Sequence, residues 1–176
     1  CGFVVNFPRS RRSVTPDQLR VLRRELDPSV VPVGVFLAQP VEVVTDLLNR
    51  GIISIAQLHG GEDEDYTAAL RAAAPGKEIW KAFPVRGPAD LERAIVFPAD
   101  RILLDSGQGT GRTFDWSLLR HFPRPYLLAG GLDPENLPTA IRTLHPYGVD
   151  LSSGVETDGL KDFTKIQAAV AAAREE

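Results

Sequence analysis

Short apolar runs alternate with helix-period patterns along the whole chain, and this alternation limits the possible folds more than any other feature. Seven strand–helix pairs follow one another, roughly one per 25 residues, with short connections. The strand-like runs are Gly2-Phe3-Val4-Val5, Val30 to Leu37, Ile52 to Leu58, Glu78 to Phe83, Arg101 to Asp105, Pro125 to Ala129 and Val149 to Leu151. Between them the spacing predicts helices. One starts at Pro16 with Thr15 as N-cap and carries Leu19, Leu22 and Leu26. A second opens at Pro40 and stops at Gly51, and a third has an acidic first turn, Glu62 to Asp65, suited to the helix dipole. Pro88 to Val96 is the fourth, a shorter helix begins around Asp115, Pro134 to Leu144 has Asp133 as N-cap, and Lys161 to Arg174 closes the chain.

Strict alternation of this kind implies an α/β fold, a parallel sheet covered by helices. An open doubly wound sheet and a closed barrel both satisfy it. No dinucleotide-type glycine fingerprint follows the first strand, and seven units is one fewer than a (β/α)8 barrel uses.

Composition narrows the function classes. A length of 176 residues with 43% hydrophobic side chains suits a single domain over residues 1–176. Twenty basic and 23 acidic residues are interspersed, giving a net charge of −3, and the only local accumulation of like charge is Arg9, Arg11 and Arg12. Nucleic acid and membrane surfaces are therefore not expected partners, and no apolar run is long enough to span a bilayer. With no signal peptide ahead of the first strand and one cysteine, the expected location is cytoplasmic. The chain opens on Cys1 and contains no methionine, so an upstream segment is expected.

The residues best placed for chemistry lie where strands end. Asp105 terminates a buried-strand pattern and is followed at once by the glycine-rich loop Ser106 to Thr113. Two readings stand open: a general acid whose pKa is raised by desolvation, or a carboxylate that caps loop amides. Gly130-Gly131 and Ser153-Gly154 follow the last two strands. Glycines there let backbone N–H groups approach phosphate oxygens, so these four residues are the expected phosphate-binding site. Arg9, Arg11 and Arg12 lie on the loop after the first strand, where an arginine fork suits a carboxylate or phosphate and where solvated arginines are also common. Gln57 and His59 end the third strand and are candidates for substrate contact. No second His, Cys or carboxylate stands at ligand spacing from His59, so no metal is expected. Asp150 either bonds a sugar hydroxyl or stabilises its own loop. Cys1 has no base at recognisable spacing and reads as a packing residue.

Taken together, several of these stretches resemble one family. They are Gly2 to Val5 with Pro8 to Arg12, Val33 to Phe36, Gln57-Leu58-His59-Gly60, Leu103-Leu104-Asp105, Gly109 to Trp116, Ala129 to Asn136 and Asp150 to Glu156. In that order they are similar to phosphoribosylanthranilate isomerase, the (β/α)8 TIM-barrel enzyme of tryptophan biosynthesis, and the similarity covers essentially the whole chain. The resemblance implies an Amadori rearrangement of a small phosphorylated substrate without cofactor or metal. A general acid protonates the furanose ring oxygen, and a general base then removes the C2 proton. It makes Asp105 the acid, Arg12 the partner of the anthranilate carboxylate, and Gly130, Gly131, Ser153 and Gly154 the phosphate loops.

The departure from the family pattern is specific. The family's base is a cysteine in a Lys-Ile-Cys-Gly motif on its first strand, but Phe3 to Arg12 match its second strand and loop, so Cys1 is not that residue. On this alignment seven units are visible and the first strand and helix are absent, together with the base. Little or no isomerase activity is then expected from these residues alone, with a non-catalytic phosphate-binding or structural fragment as the alternative. Two unpaired strand edges would also remain, and with them a tendency to self-associate.

Overall fold

Four apolar residues suffice for the first strand, and the rest of the chain follows its alternating pattern. In order the elements are β1 (Gly2–Val5), β2 (Ser13–Val14), α1 (Pro16–Glu25), β3 (Val33–Phe36), α2 (Val41–Asn49), β4 (Ile55–Leu58), α3 (Glu64–Ala73), β5 (Glu78–Pro84), α4 (Pro88–Val96) and β6 (Arg101–Asp105). Then come a 3₁₀ turn (Trp116–Leu119), β7 (Tyr126–Ala129), α5 (Leu137–Leu144), β8 (Gly148–Asp150), a second 3₁₀ turn (Ser153–Val155), β9 (Glu156–Thr157), β10 (Leu160–Lys161) and α6 (Phe163–Arg174). The structure, a computed structural model, describes residues 1–105 and 116–174. Its two compact units are Cys1–Ala82 with Phe97–Asp100, and Phe83–Val96 with Arg101–Glu176.

In the first unit β1, β3, β4 and β5 pair in parallel, with Val4, Val35, Gln57 and Trp80 in one register row. Alternate residues on the opposite face, Phe36, Ala56, Leu58 and Ile79, meet the helical stripe Val44, Leu47 and Leu48 and Leu70 of α3 in one buried cluster. Here the period of 2 meets the period of 3.6, and each large aliphatic side chain buried contributes about 1.5–3 kcal/mol.

Local signals fix the helix ends. Thr15 Oγ1 accepts the Gln18 N–H at 3.2 Å while Gln18 Oε1 accepts the Thr15 N–H at 2.8 Å, a reciprocal cap ahead of Pro16. Gly51 follows α2 at φ +67°, and the Ile52 and Ile53 amides then donate to Leu47 O at 3.0 and 3.3 Å. Those two isoleucines therefore finish the helix, which is why β4 starts at Ile55 and not at Ile52. Likewise β3 starts after Pro32, whose missing N–H cannot join a ladder.

The loop after β1 holds a surprise. Ser13 and Val14 form β2, parallel to β1 with Val4 opposite Ser13 and Val5 opposite Val14. The outer edge of β1, expected to be unpaired, is thus partly paired by the chain's own loop.

In the second unit β6, β7 and β8 are parallel, and Asp105, Ala129 and Asp150 share a register row. The segment after β5 joins them where Val85 donates its N–H to Asp105 O at 2.9 Å. Several boundaries differ from the sequence reading. α5 starts at Leu137, because Asp133 Oδ1 accepts the Glu135 and Asn136 amides at 2.9 and 2.8 Å and so closes a turn ahead of the helix. α6 starts at Phe163, because residues 156–161 make an antiparallel hairpin. Asp158 and Gly159 sit at its tip with φ +51° and +80°, the signature of a type I′ turn. The glycine-rich loop and the helix expected around Asp115 lie outside the described residues up to Trp116, from which a 3₁₀ turn runs to Leu119. No helix among the described residues is long and apolar enough to cross a membrane.

Candidate active site

The second unit carries the carboxylates and the glycine loops. Residues in one parallel row point to the same face, so Asp105 and Asp150 flank Ala129. Two inter-strand spacings put their backbones about 10 Å apart. Both are half-buried. Just past this row Gly130 and Gly131 take φ +94° and +63°, a conformation that L side chains rarely adopt. Asn136 pins that turn: its Nδ2 donates to Gly131 O at 2.8 Å and its Oδ1 accepts the Asp133 N–H at 3.1 Å.

The loop after β8 lies directly against it. A Cβ on Gly154 would fall 1.8 Å from Leu132 O, so only glycine lets the two main chains meet. Lys161 reaches back from the hairpin, donating to Ser152 O at 2.7 Å and pairing with Glu156 Oε1 at 3.1 Å, while Lys165 Nζ donates to Glu156 O at 2.8 Å. Thr157 Oγ1 and the Lys165 and Thr164 amides donate to Asp162 and hold its carboxyl below the ordinary value. The result is a pair of glycine loops braced on both sides, with Gly131 and Ser153 exposed.

The first unit places polar side chains where its strands end. Gln57 is 3% exposed, and its Nε2 is a buried donor with no hydrogen-bond partner among the described residues. An orphaned buried amide is uncommon and calls for an explanation. Two residues on, the His59 N–H donates to Phe36 O at 2.8 Å. Arg12 is half-buried in the turn leading to β2, where its N–H donates to Ser10 Oγ at 3.2 Å. Cys1 sits at the other end of the strands, its backbone carbonyl accepting from Val33 N at 2.8 Å. It is exposed, which corrects the reading of it as a packing residue.

Glu62 departs from expectation further. It stands outside α3, whose first turn keeps Glu64 and Asp65, and its side chain is buried against Lys81. Tyr66 is nearby: its hydroxyl donates to Gln39 O at 2.9 Å, and burial, with the Glu62 and Glu42 charges adding, pushes its phenol up to about 12. Among the described residues no group of three or more His, Cys, Asp or Glu could hold a metal ion.

Comparison with known proteins meets this geometry. The sequence model of the N-(5'phosphoribosyl)anthranilate (PRA) isomerase family matches residues 3–172. The N-(5'-phosphoribosyl)anthranilate isomerase of Desulforudis audaxviator is 42% identical over a 183-residue alignment that covers 99% of this chain and 86% of that protein. The chain belongs to this family.

Among solved structures, the phosphoribosyl anthranilate isomerase of Thermotoga maritima superposes with a TM-score of 0.86 at 36% identity, covering 99% of this chain and 87% of that one. A further isomerase structure, a complex with reduced 1-(o-carboxyphenylamino)-1-deoxyribulose 5-phosphate, gives a TM-score of 0.84 at 36% identity, with the same coverage of each chain. The fold is accordingly α/β of the (β/α)8 class, and the family's isomerase function in tryptophan biosynthesis is that of this chain. The match extends over 99% of this chain and 86% of that protein, and it does not itself support the expectation of little or no activity.

Of the residues singled out from sequence, the second unit brings together Asp105, Asp150 and the two glycine loops. The first places Arg12, Gln57 and His59 in loops or strand ends at one end of its sheet. Sequence reasoning missed Asn136, Lys161, Glu62 and Lys81. Asn136 lies in the Ala129 to Asn136 stretch, and Asp158-Gly159 was a hairpin signal that would have put Lys161 beside Ser152.

Proposed function

We propose that this chain converts N-(5-phosphoribosyl)anthranilate to 1-(2-carboxyphenylamino)-1-deoxyribulose 5-phosphate with Asp105 as the general acid. Asp105 protonates the furanose ring oxygen, and the C–O bond opens to a Schiff base. A general base, a role to which no residue of this chain is assigned, then takes the C2 proton, giving the enolamine that tautomerises to the ketose. The Gly130-Gly131 and Ser153-Gly154 loops take the phosphate on main-chain N–H groups, as abutting glycine turns can. Asp150, in the row of Asp105, bonds a sugar hydroxyl. Arg12 meets the anthranilate carboxylate, and Gln57 and His59 contact the substrate. A ligand acceptor on Gln57 would account for its orphaned buried amide.

The observation that carries this reading is the shared row of Asp105 and Asp150 beside two glycine loops in direct contact, in a chain of the isomerase family. Turnover of freshly made substrate, followed by loss of its fluorescence, tests it. Asp105→Asn is expected to lower kcat by about 10²–10⁴, the usual contribution of a positioned acid. Turnover indifferent to that change would remove Asp105 from the role. A wild-type chain that neither turns over the substrate nor binds the reduced product analogue would overturn the reading as a whole.

A further inference from the structure

In the first unit a buried ion pair stands beneath the loops that follow β3 and β4. Glu62 and Lys81 lie 3.1 Å apart with side chains 1% and 5% exposed. Glu62 Oε1 accepts the Ala38 N–H at 2.7 Å and Oε2 accepts the Gly60 N–H at 2.8 Å, while Lys81 Nζ donates to Gly60 O at 2.6 Å. Gly60 is therefore gripped through both its amide and its carbonyl. The fit leaves no room for a side chain, since a Cβ on Gly60 would lie 2.9 Å from Glu62 Oε1 and 3.0 Å from Ala38 N. Ala38 itself sits at φ +51°, uncommon for a residue other than glycine.

Burying two opposite charges is rarely the best route to stability, because an apolar pair of similar volume serves as well. What the charged pair supplies and an apolar pair cannot is three directed bonds to backbone groups of two different loops. We infer that Glu62 and Lys81 are positioning residues for substrate binding: they fix the turn at Gly60, and through it the neighbouring His59 and Gln57. This rests on the proposed substrate contacts of those two residues.

Two variants test it, with the reduced product analogue as probe and amide hydrogen exchange as a separate readout. Glu62→Gln keeps the shape but turns a donor toward Ala38, Gly60 or Lys81. Lys81→Met keeps the stem and removes the donor to Gly60. Each is expected to speed exchange at Ala38 and Gly60 at least tenfold relative to the Ile79 and Leu58 amides, and to weaken analogue binding at least tenfold at temperatures where the variant stays folded. A purely structural pair gives the opposite pattern, a lower unfolding midpoint with analogue affinity and the two loop amides unchanged, and that result overturns the inference. Should Lys81→Met fail to fold, Glu62→Gln alone decides. If the wild-type chain does not bind the analogue, the functional reading fails, and the contribution to binding inferred for this pair fails with it. The exchange comparison would still show whether the pair fixes the loops.

Discussion

Each of the two units uses a lysine that bonds both a glutamate and the carbonyl of a loop beyond a strand end, yet the two pairs live in different solvents. Lys81 and Glu62 are 5% and 1% exposed, with Gly60 O as the third member. Lys161 and Glu156 are 47% and 5% exposed, with Ser152 O in that place. The buried pair gives up hydration on both partners and recovers it only through close geometry, so it acts as an all-or-none clamp. The half-exposed lysine keeps water as an alternative partner, and its loss is correspondingly mild. The same chemistry thus makes a rigid brace in one unit and an adjustable one in the other.

The largest expected effect separates them directly. Lys81→Met leaves the Glu62 carboxylate buried without its cation and is expected to destabilise the chain by about 3–5 kcal/mol, read from the denaturant midpoint. Lys161→Met, which removes a lysine that is already 47% exposed, is expected to cost less than Lys81→Met. Equal losses would mean that burial does not distinguish the two pairs.

The glycines beneath the braces give the next contrast. Gly154→Ala drives a methyl into the Leu132 carbonyl, and a backbone group cannot swing aside. We expect about 1–3 kcal/mol of destabilisation and loss of inorganic phosphate or analogue binding in the same variant. Unchanged binding by a folded Gly154→Ala chain would show that the contact between the loops does not matter to the ligand.

Titration offers a subtler probe. Tyr66 in the first unit and Tyr126 in the second are both raised from 10.0 to about 12, chiefly by burial, and Tyr66 additionally by the Glu62 charge. A phenol whose folded pKa is raised contributes stability that is complete below pH 10 and is lost as pH climbs toward about 12. Stability is therefore expected to fall across that interval, and less steeply in Tyr66→Phe and Tyr126→Phe. Glu62→Gln should lower the Tyr66 transition seen by ultraviolet absorbance while leaving that of Tyr126 in place. Movement of both would indicate general loosening and not the loss of one nearby charge.

The element order was legible because its signals are local. The Thr15 cap, Pro16, Gly51 and the apolar run that ends in Asp105 each act within a few residues, and each sits where the spacing put it. Errors arose where a local signal had two outlets. Asp133 had the look of an N-cap and instead closed a turn, with α5 starting four residues later. Ile52 and Ile53 matched a strand and instead finished a helix. Glu62 resembled a helix-dipole carboxylate only because Lys81 is 19 residues away, and sequence spacing carries no trace of that contact.

By itself, then, the sequence determined the parallel α/β class, the strand that presents Asp105 and the two glycine loops, since periodicity and glycine are properties of neighbouring residues. Only the tertiary structure decided that Asp105 and Asp150 share a row, that Gly154 must be glycine because of Leu132, and that Glu62 turns inward to Lys81. Those three depend on strand register and on the close approach of distant backbone, which fold-wide packing sets.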